Sequence, residues 1–191
     1  MWPGDVPFTL DVKVSPGMVL SSFSTTCHVG THVDAPKHLD PDAGGVESIP
    51  LGRLIGPAEV VLLEEGSEVL GVRHLPPAWE PGGDKVLLRT DSHPVGDPIG
   101  EDFFALSAGL VHWLADRGVT TVGVDVPSVD PLSSKDLPAH WALVERGMTW
   151  IEDLWLGGVE PGSYFLVAAP MPLVGAEAAP VRAFLRSEVQ K

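Results

Sequence analysis

Residues 107–126, which read SAGLVHWLADRGVTTVGVDV, predict the central unit of the fold. Ser107 is a good N-cap, apolar residues follow it at helical spacing, and Gly118 suits the position just beyond a helix. The β-branched run at 119–126 then predicts a strand, as does a similar run at 85–90. Strand, helix and strand in this order indicate a parallel βαβ unit. The sequence therefore predicts an α/β fold class.

The rest of the chain predicts further short elements in the same domain. Apolar runs predict strands at 58–63 and 164–168, and a second helix is predicted from Ser134 through His140 to Arg146. The 21 glycines and 19 prolines are spread along the chain, which indicates many tight turns. No repeat or linker divides the 191 residues. We therefore expect a single domain over residues 1–191.

Charge and composition exclude several classes of partner. The chain has 12 Lys and Arg against 26 Asp and Glu, a net charge of −14, which disfavours nucleic acid and anionic membranes. No stretch approaches the ~18 apolar residues of a membrane span, and the first residues lack the features of a secretory signal. Cys27 is the only cysteine and can form no intrachain disulfide, which suits a reducing compartment. We expect a cytoplasmic protein with a small-molecule substrate.

Residues 28–38, HVGTHVDAPKH, carry three histidines and an aspartate. His28, His32 and Asp34 occupy even positions, so an extended segment would project them from one face. A glycine, two β-branched residues and a proline within the segment disfavour a helix. The segment is therefore predicted to be a strand end or loop that directs two imidazoles and a carboxylate at a divalent cation.

The sequence resembles the metal-dependent cyclase superfamily, whose fingerprint H-x-G-T-H-x-D-x-P-x-H lies at 28–38. Within this superfamily it is most similar to the bacterial kynurenine formamidases (arylformamidases), over nearly the whole chain. Family members usually have a further strand ahead of the segment Trp2-Pro3-Gly4-Asp5. In this sequence that strand is either missing or the chain start was assigned late. The other shared blocks are Trp2-Pro3-Gly4-Asp5, 87–90, 123–131, Ser134-Lys135, Ala139-His140 and 180–183.

The resemblance implies a three-layer, swivelling β/β/α domain of the cyclase type. In that architecture a central parallel sheet is covered by helices on one side and by a second, antiparallel sheet on the other. The resemblance also implies a homodimer or a larger closed assembly.

The resemblance further implies two zinc ions per chain. His28, His32 and Asp34 would hold one ion, Asp34 would bridge, and His140 with Glu152 would complete the second site. Taken alone, His140 and Glu152 are more typical of a solvated surface, and the resemblance makes them candidate ligands. Ligands of these types also accept manganese.

The remaining implied roles concern catalysis and substrate. His38 would be the proton donor and acceptor, and Trp2 would contact the substrate. The implied reaction is hydrolysis of N-formyl-L-kynurenine to L-kynurenine and formate, in tryptophan degradation by the kynurenine route. Arg89 and Lys135 are candidates for binding the amino-acid end of that substrate.

Two alternatives remain open from the sequence. One is an enzyme that opens a cyclic amide such as isatin with the same metals. The other is a metal-binding or scaffold protein without catalysis, although a binding protein would not need His38 as a proton carrier.

Overall fold

A computed structural model describes residues 4–63, 68–93, 99 and 103–187 of the chain. In this part of the chain there are twelve strands and two α-helices. The helices are α1 (Ala108–Asp116) and α2 (Pro138–Glu145). The strands are β1 (Thr9–Ser15), β2 (Met18–Ser24), β3 (His32–Asp34), β4 (Ile55–Leu62), β5 (Val69–Leu70), β6 (Lys85–Arg89), β7 (Ala105–Leu106), β8 (Thr121–Val124), β9 (Thr149–Glu152), β10 (Gly162–Val167), β11 (Ala178–Pro180) and β12 (Phe184–Ser187).

Eight of the strands form one mixed sheet in the order β11-β3-β9-β8-β6-β4-β10-β12. The four central strands β9, β8, β6 and β4 run parallel to one another, whereas every other pairing in this sheet is antiparallel. β6 and β8 are adjacent and parallel, and α1 lies between them in sequence. This confirms the predicted βαβ unit.

The predicted arrangement of layers is wrong in one respect. The antiparallel strands β11, β3, β10 and β12 do not form a separate second sheet, because they extend the edges of the parallel strands within one mixed sheet. Outside it, β1 and β2 form a two-stranded antiparallel sheet, and β5 and β7 a two-stranded parallel one. The edge strand β11 ends at Pro180 and the other edge strand, β12, begins at Phe184. Even fully extended, the chain between these two residues spans at most about 14 Å. A flat sheet of eight strands would hold its edges roughly 34 Å apart. The sheet must therefore curl, so one curled sheet takes the place of the two expected sheets.

The strands bury both faces of this sheet, which is typical of parallel strands. Because side chains alternate between faces, Val86 and Leu88 of β6 pack with the helices, and Leu87 packs into the opposite core. Leu110 and Leu114 are among the α1 residues that complete the first core. The two cores together fix the position of β6, β8 and β9.

The helix boundaries differ from the prediction at one end. α1 begins as expected, since the Ser107 hydroxyl accepts a hydrogen bond from the Leu110 N–H at 3.1 Å. α2 begins at Pro138 and not near Ser134, because Leu137 has a left-handed backbone with φ of 44° that helical residues do not adopt. The Ser134 hydroxyl accepts from the Leu137 N–H and so caps the preceding turn. No helix in the described ranges is long and apolar enough to cross a membrane.

Candidate metal centre

The first part of the candidate site lies on β3 and in the loop before it. His32 and Asp34 are both buried, and they share the face of the sheet that turns toward the helices, whereas Val33 packs into the opposite core. His28 Nδ1 lies 3.1 Å from Asp34 Oδ1, and His32 Nε2 lies 3.4 Å from the same oxygen. The extended geometry expected for this segment is present at 32–34, and it brings the three side chains together.

Glu152 reaches this cluster through the register of the sheet. β3 and β9 are antiparallel neighbours in which His32 lies opposite Glu152, and opposite residues project to the same face. Glu152 Oε2 is 3.3 Å from His32 Nε2. Its other oxygen accepts a hydrogen bond from the Val129 N–H at 2.9 Å, which fixes the carboxylate. The pairing of two distant strands therefore places this candidate ligand.

His140 enters from α2, and Asp130 holds it in place. The Asp130 carboxylate accepts hydrogen bonds from the backbone N–H groups of Ala139 and His140, each at 3.0 Å. The same carboxylate lies 2.8 Å from His140 Nδ1. His140 Nε2 is thereby directed at the cluster, 3.4 Å from Glu152 Oε1 and 4.0 Å from Asp34 Oδ2. In metal sites a carboxylate typically binds the ring nitrogen of a ligand histidine that does not face the metal, as Asp130 does here with Nδ1 of His140.

His38 closes the cluster on its open side. It ends a short 3-10 turn, Pro36–His38, and is partly buried. Its ring centroid lies 4.5 Å from that of His28 and 5.6 Å from that of His140. Potential ligand atoms of Asp34, His38 and His140 fall within 4.8 Å of one another, as do those of His28, His32 and Asp34. Asp34 belongs to both groups.

The chemistry of these donors fits a divalent cation. His32 Nε2 and Asp34 Oδ1 are buried and have no hydrogen-bond partner among the described residues. A buried imidazole nitrogen and carboxylate oxygen without partners carry a large desolvation cost that an ion between them would remove. Imidazole and carboxylate are ligands that zinc accepts. The cluster is therefore a candidate metal centre.

Opposite charges stabilise the ionised carboxylates of the cluster. Burial acts to raise the pKa of Asp34, but the charge of His32 and the hydrogen bond from His28 outweigh it and lower the pKa. Burial also acts against ionised Glu152, and its close contacts with the imidazoles of His140 and His32 still hold its pKa below the usual range. Both carboxylates are therefore ionised and available as ligands at neutral pH.

The histidines differ in protonation according to their partners. Burial disfavours the charged form of His32 and His140, yet their carboxylate partners raise the pKa of His32 to about 9 and that of His140 to about 10 in the metal-free protein. For His38, burial together with the charges of His28 and His140 outweighs the opposing charge of Asp34 and lowers the pKa. Burial, with the charge of Glu177, raises the pKa of the Cys27 thiol, which disfavours its thiolate form.

A cavity of about 400 Å³ opens over this cluster. Its volume lies within the roughly 300–1,000 Å³ of small-molecule sites. Ser134 and Lys135 line it together with the cluster, whereas Arg89 does not and pairs with Asp91 at 2.7 Å. Trp2 lies outside the described residues. The cavity wall is formed by Asp5, His28, His32, His38, Ile99, Pro127, Ser128, Leu132, Ser134, Lys135, Leu137, His140 and Glu152.

Sequence reasoning missed three side chains that support the cluster. Asp130 orients His140, the Trp150 indole donates to Asp34 Oδ2 at 3.2 Å, and Glu177 lies 3.6 Å from His28. Only Asp130 left a signal in the sequence. A carboxylate shortly before a helix can accept hydrogen bonds from the first backbone N–H groups of that helix and can also contact a histidine on it. The other two contacts depend on strand pairing and on loop packing.

The fold and the cluster together define a mixed α/β protein with a buried histidine–carboxylate cluster that could hold a metal ion. The family model described as "Putative cyclase" matches residues 1–131. The chain belongs to this cyclase family.

Known proteins show the same likeness along nearly the whole chain. A kynurenine formamidase of Salinibacter ruber is 39% identical over 192 aligned positions, which cover 97% of this chain and 91% of that protein. A solved structure described as a potential metal-dependent hydrolase with cyclase activity has 32% identity and a TM-score of 0.78, covering 92% of this chain and 85% of the other. The isatin hydrolase A of Ralstonia solanacearum has 27% identity and a TM-score of 0.71, over 93% of this chain and 80% of its own.

Proposed function

We propose that this protein is a kynurenine formamidase, a metal-dependent hydrolase that converts N-formyl-L-kynurenine and water to L-kynurenine and formate. The observation that carries the proposal is the 39% identity with a kynurenine formamidase over 97% of the chain. A buried histidine–carboxylate cluster beneath a cavity of about 400 Å³ supports it, because hydrolysis of a formamide needs both a polar centre and space for an aromatic substrate.

The metal set we propose is two zinc ions, with manganese as the alternative metal. His28, His32 and Asp34 would hold the first ion, while Asp34, His140 and Glu152 would hold the second. Asp34 belongs to both groups of potential ligand atoms that lie close together, His28–His32–Asp34 and Asp34–His38–His140, and this supports a bridging role. When bound, the ions supply positive charge that polarises the formyl carbonyl and makes water more acidic.

His38 is proposed to carry the proton. Its lowered pKa keeps the imidazole neutral, so it can accept a proton from the attacking water. As the water oxygen bonds to the formyl carbon and the carbon–nitrogen bond breaks, His38 returns the proton to the aniline nitrogen. The products are then the free aromatic amine and formic acid, which loses its proton to solvent and becomes formate. The place of His38 on the open side of the cluster, against His28 and His140, supports this role.

The amino-acid end of the substrate is proposed to lie toward Lys135. This ammonium group lines the cavity, whereas Arg89 is paired elsewhere. Trp2 remains a proposed aromatic contact on the basis of the resemblance. We also propose a cytoplasmic homodimer. The lone cysteine supports a reducing compartment, and the homodimer rests on the resemblance.

The alternative substrate is a cyclic amide. The likeness to isatin hydrolase A at 27% identity favours this class of substrate, although the likeness to the formamidase is greater. Both reactions use the same cluster, so only a comparison of substrates separates them.

The test is to measure kcat/KM of the zinc-loaded protein for N-formyl-L-kynurenine and for isatin. We expect formate release and a clear preference for N-formyl-L-kynurenine. The His112→Ala variant is the matched control, because His112 lies on α1 outside the cavity and its loss should leave activity unchanged. A preference for isatin, or no formate from N-formyl-L-kynurenine, would contradict the proposal.

A further inference from the structure

One wall of the cavity over the cluster is formed by the segment 127–137, which lies between β8 and α2. Six residues of this segment line the cavity. Hydrogen bonds fasten it to two candidate ligands. The Val129 N–H donates to Glu152 Oε1 at 2.9 Å, and the Asp130 carboxylate accepts from the His140 N–H at 3.0 Å. The segment is therefore held in a fixed position beside the candidate metal centre.

Ser128 carries a buried hydroxyl group on this wall. Among the described residues that line the cavity outside the cluster, it is the one buried polar residue, with 6% of its surface exposed. Its Oγ accepts a hydrogen bond from the Asp130 N–H at 3.2 Å. A hydroxyl group can donate as well as accept, and the Ser128 hydroxyl donates to no acceptor in the described part of the chain. The fold thus leaves one hydrogen-bond donor of this wall unused.

Ser134 on the same wall provides a comparison. Its hydroxyl likewise accepts from a backbone N–H, that of Leu137 at 3.2 Å. Ser134 is only partly buried, so water can accept its proton whether or not a ligand fills the cavity. At Ser128, a ligand that fills the cavity would displace the water and leave the proton without an acceptor. The two hydroxyl groups therefore differ in what a bound ligand does to them.

The remaining surface of the cavity favours an aromatic ring. The apolar residues that line it are Ile99, Pro127, Leu132 and Leu137. A ring that packs against them expels water from the wall. A buried donor left unpaired in this way costs free energy, whereas a ligand with an acceptor at Ser128 avoids that cost. The wall should therefore prefer an aromatic ligand that carries a carbonyl oxygen beside the ring.

The proposed substrate has such an oxygen. In N-formyl-L-kynurenine a ketone is attached to the ring carbon next to the one that bears the formamide, and the amino-acid end follows beyond the ketone. The formyl group belongs at the metal centre. Ser128 lies beside that centre, because the N–H of the next residue binds Glu152. Lys135, proposed for the amino-acid end, follows farther along the same segment. The order of groups along the wall thus matches the order along the substrate.

We propose that the Ser128 hydroxyl donates a hydrogen bond to the ketone oxygen of the substrate. Ser128 thereby selects aryl formamides that carry an acyl group ortho to the formamide. This contact rests on the proposed function and adds a specificity-determining residue to it, since Ser128 neither binds metal nor carries the proton.

The test uses two substrates that differ only in the ketone. They are ortho-acetylformanilide and ortho-ethylformanilide, in which a methylene group replaces the carbonyl. We expect Ser128→Ala to lower kcat/KM for the acetyl compound by about 3–10-fold, as for loss of one hydrogen bond, and to change that of the ethyl compound by less than about twofold. Any difference in intrinsic reactivity cancels, because each protein is compared on the same two compounds. Ser134→Ala is the matched control and should leave the ratio between the compounds as in the wild type.

Equal losses on the two compounds would show that Ser128 acts through Asp130 on His140, and would overturn the inference. No loss on either compound would overturn it as well. The metal content of Ser128→Ala should equal that of the wild type, and a loss of metal would count against a direct contact with the substrate in the same way.

Binding of the product amines gives a measurement that does not require hydrolysis. By calorimetry, Ser128→Ala should bind ortho-aminoacetophenone about 3–10-fold more weakly than the wild type does, and ortho-ethylaniline equally well. If this difference is found but the wild type releases no formate from any formamide, the proposed function fails and the Ser128 contact stands. If formate is released but the variant binds both amines as the wild type does, the contact is overturned and the proposed function stands.

Discussion

Asp34 is the residue on which the candidate metal centre most depends. It lies within 3.1 Å of His28 and 3.4 Å of His32, and it belongs to both groups of potential ligands. Its burial is tolerated because the surrounding imidazoles and the Trp150 indole stabilise the ionised carboxylate. Loss of its charge would therefore affect every ion that the cluster can hold.

We predict that Asp34→Asn removes metal from both sites. The substitution keeps the volume of the side chain but removes a shared anionic ligand and leaves the charges of two ions uncompensated. Glu152→Gln should empty mainly the second site. Elemental analysis of the purified variants measures both outcomes, and two metal ions per chain in Asp34→Asn would contradict the bridging role.

His38→Ala is predicted to separate metal binding from catalysis. If His38 carries the proton and is not a permanent ligand, the variant retains the metal content of the wild type. Its activity should fall by about 10²–10⁴-fold, the usual contribution of general acid–base catalysis. Loss of metal from His38→Ala would instead identify His38 as a structural ligand, which its distance to Asp34 and His140 allows.

Asp130→Asn tests whether the carboxylate behind His140 is part of the metal centre. An amide cannot accept all of the hydrogen bonds that Asp130 accepts, so the His140 ring loses its fixed orientation. We predict metal affinity about 10–100-fold weaker, measured by competition with a chelating dye. Asp116→Asn, at an exposed ion pair with Arg146, is the control and should bind metal as the wild type does. Equal affinity in the two variants would contradict this account.

At the scale of elements, local signals predicted the βαβ unit and the strands β4 and β10, but they misplaced the start of α2. Ser107 and the β-branched runs around α1 gave correct predictions because caps and strand propensity act over a few residues. Ser134 resembled a cap, but the backbone of Leu137 delays α2 to Pro138. The pairing of β3 and β11, three residues each, joins distant parts of the chain, and no local pattern specifies it.

Gly123 in β8 gives a prediction about packing between elements. A methyl group at this position would lie 2.5 Å from Leu87 Cδ2 and 2.6 Å from Leu154 Cδ1. We predict that Gly123→Ala lowers the free energy of unfolding in urea by about 1–3 kcal/mol, as expected for overpacking. Gly109→Ala in α1 meets no close neighbour and should not destabilise the protein, because alanine favours helix. Equal stability of the two variants would contradict the packing of β8.

At the scale of the whole molecule, the curled sheet assembles a site whose parts are far apart in sequence. The motif at 28–38 was visible because its ligands share one short segment. Glu152 joins them through strand register, and His140 joins them through the packing of α2 on the sheet. Neither contact follows from periodicity or composition, so both were predicted only through the resemblance to a known family. Trp150 was missed for the same reason, whereas Asp130 was missed although its place just before α2 is a local signal.

Anomalous scattering at the zinc edge from crystals of the zinc-loaded protein tests the central claim most directly. The account predicts two peaks per chain, one among His28, His32 and Asp34, and one among Asp34, His140 and Glu152. His38 should lie beside the second peak without a bond to it. A single peak, or two peaks without Asp34 between them, would contradict a binuclear centre bridged by Asp34.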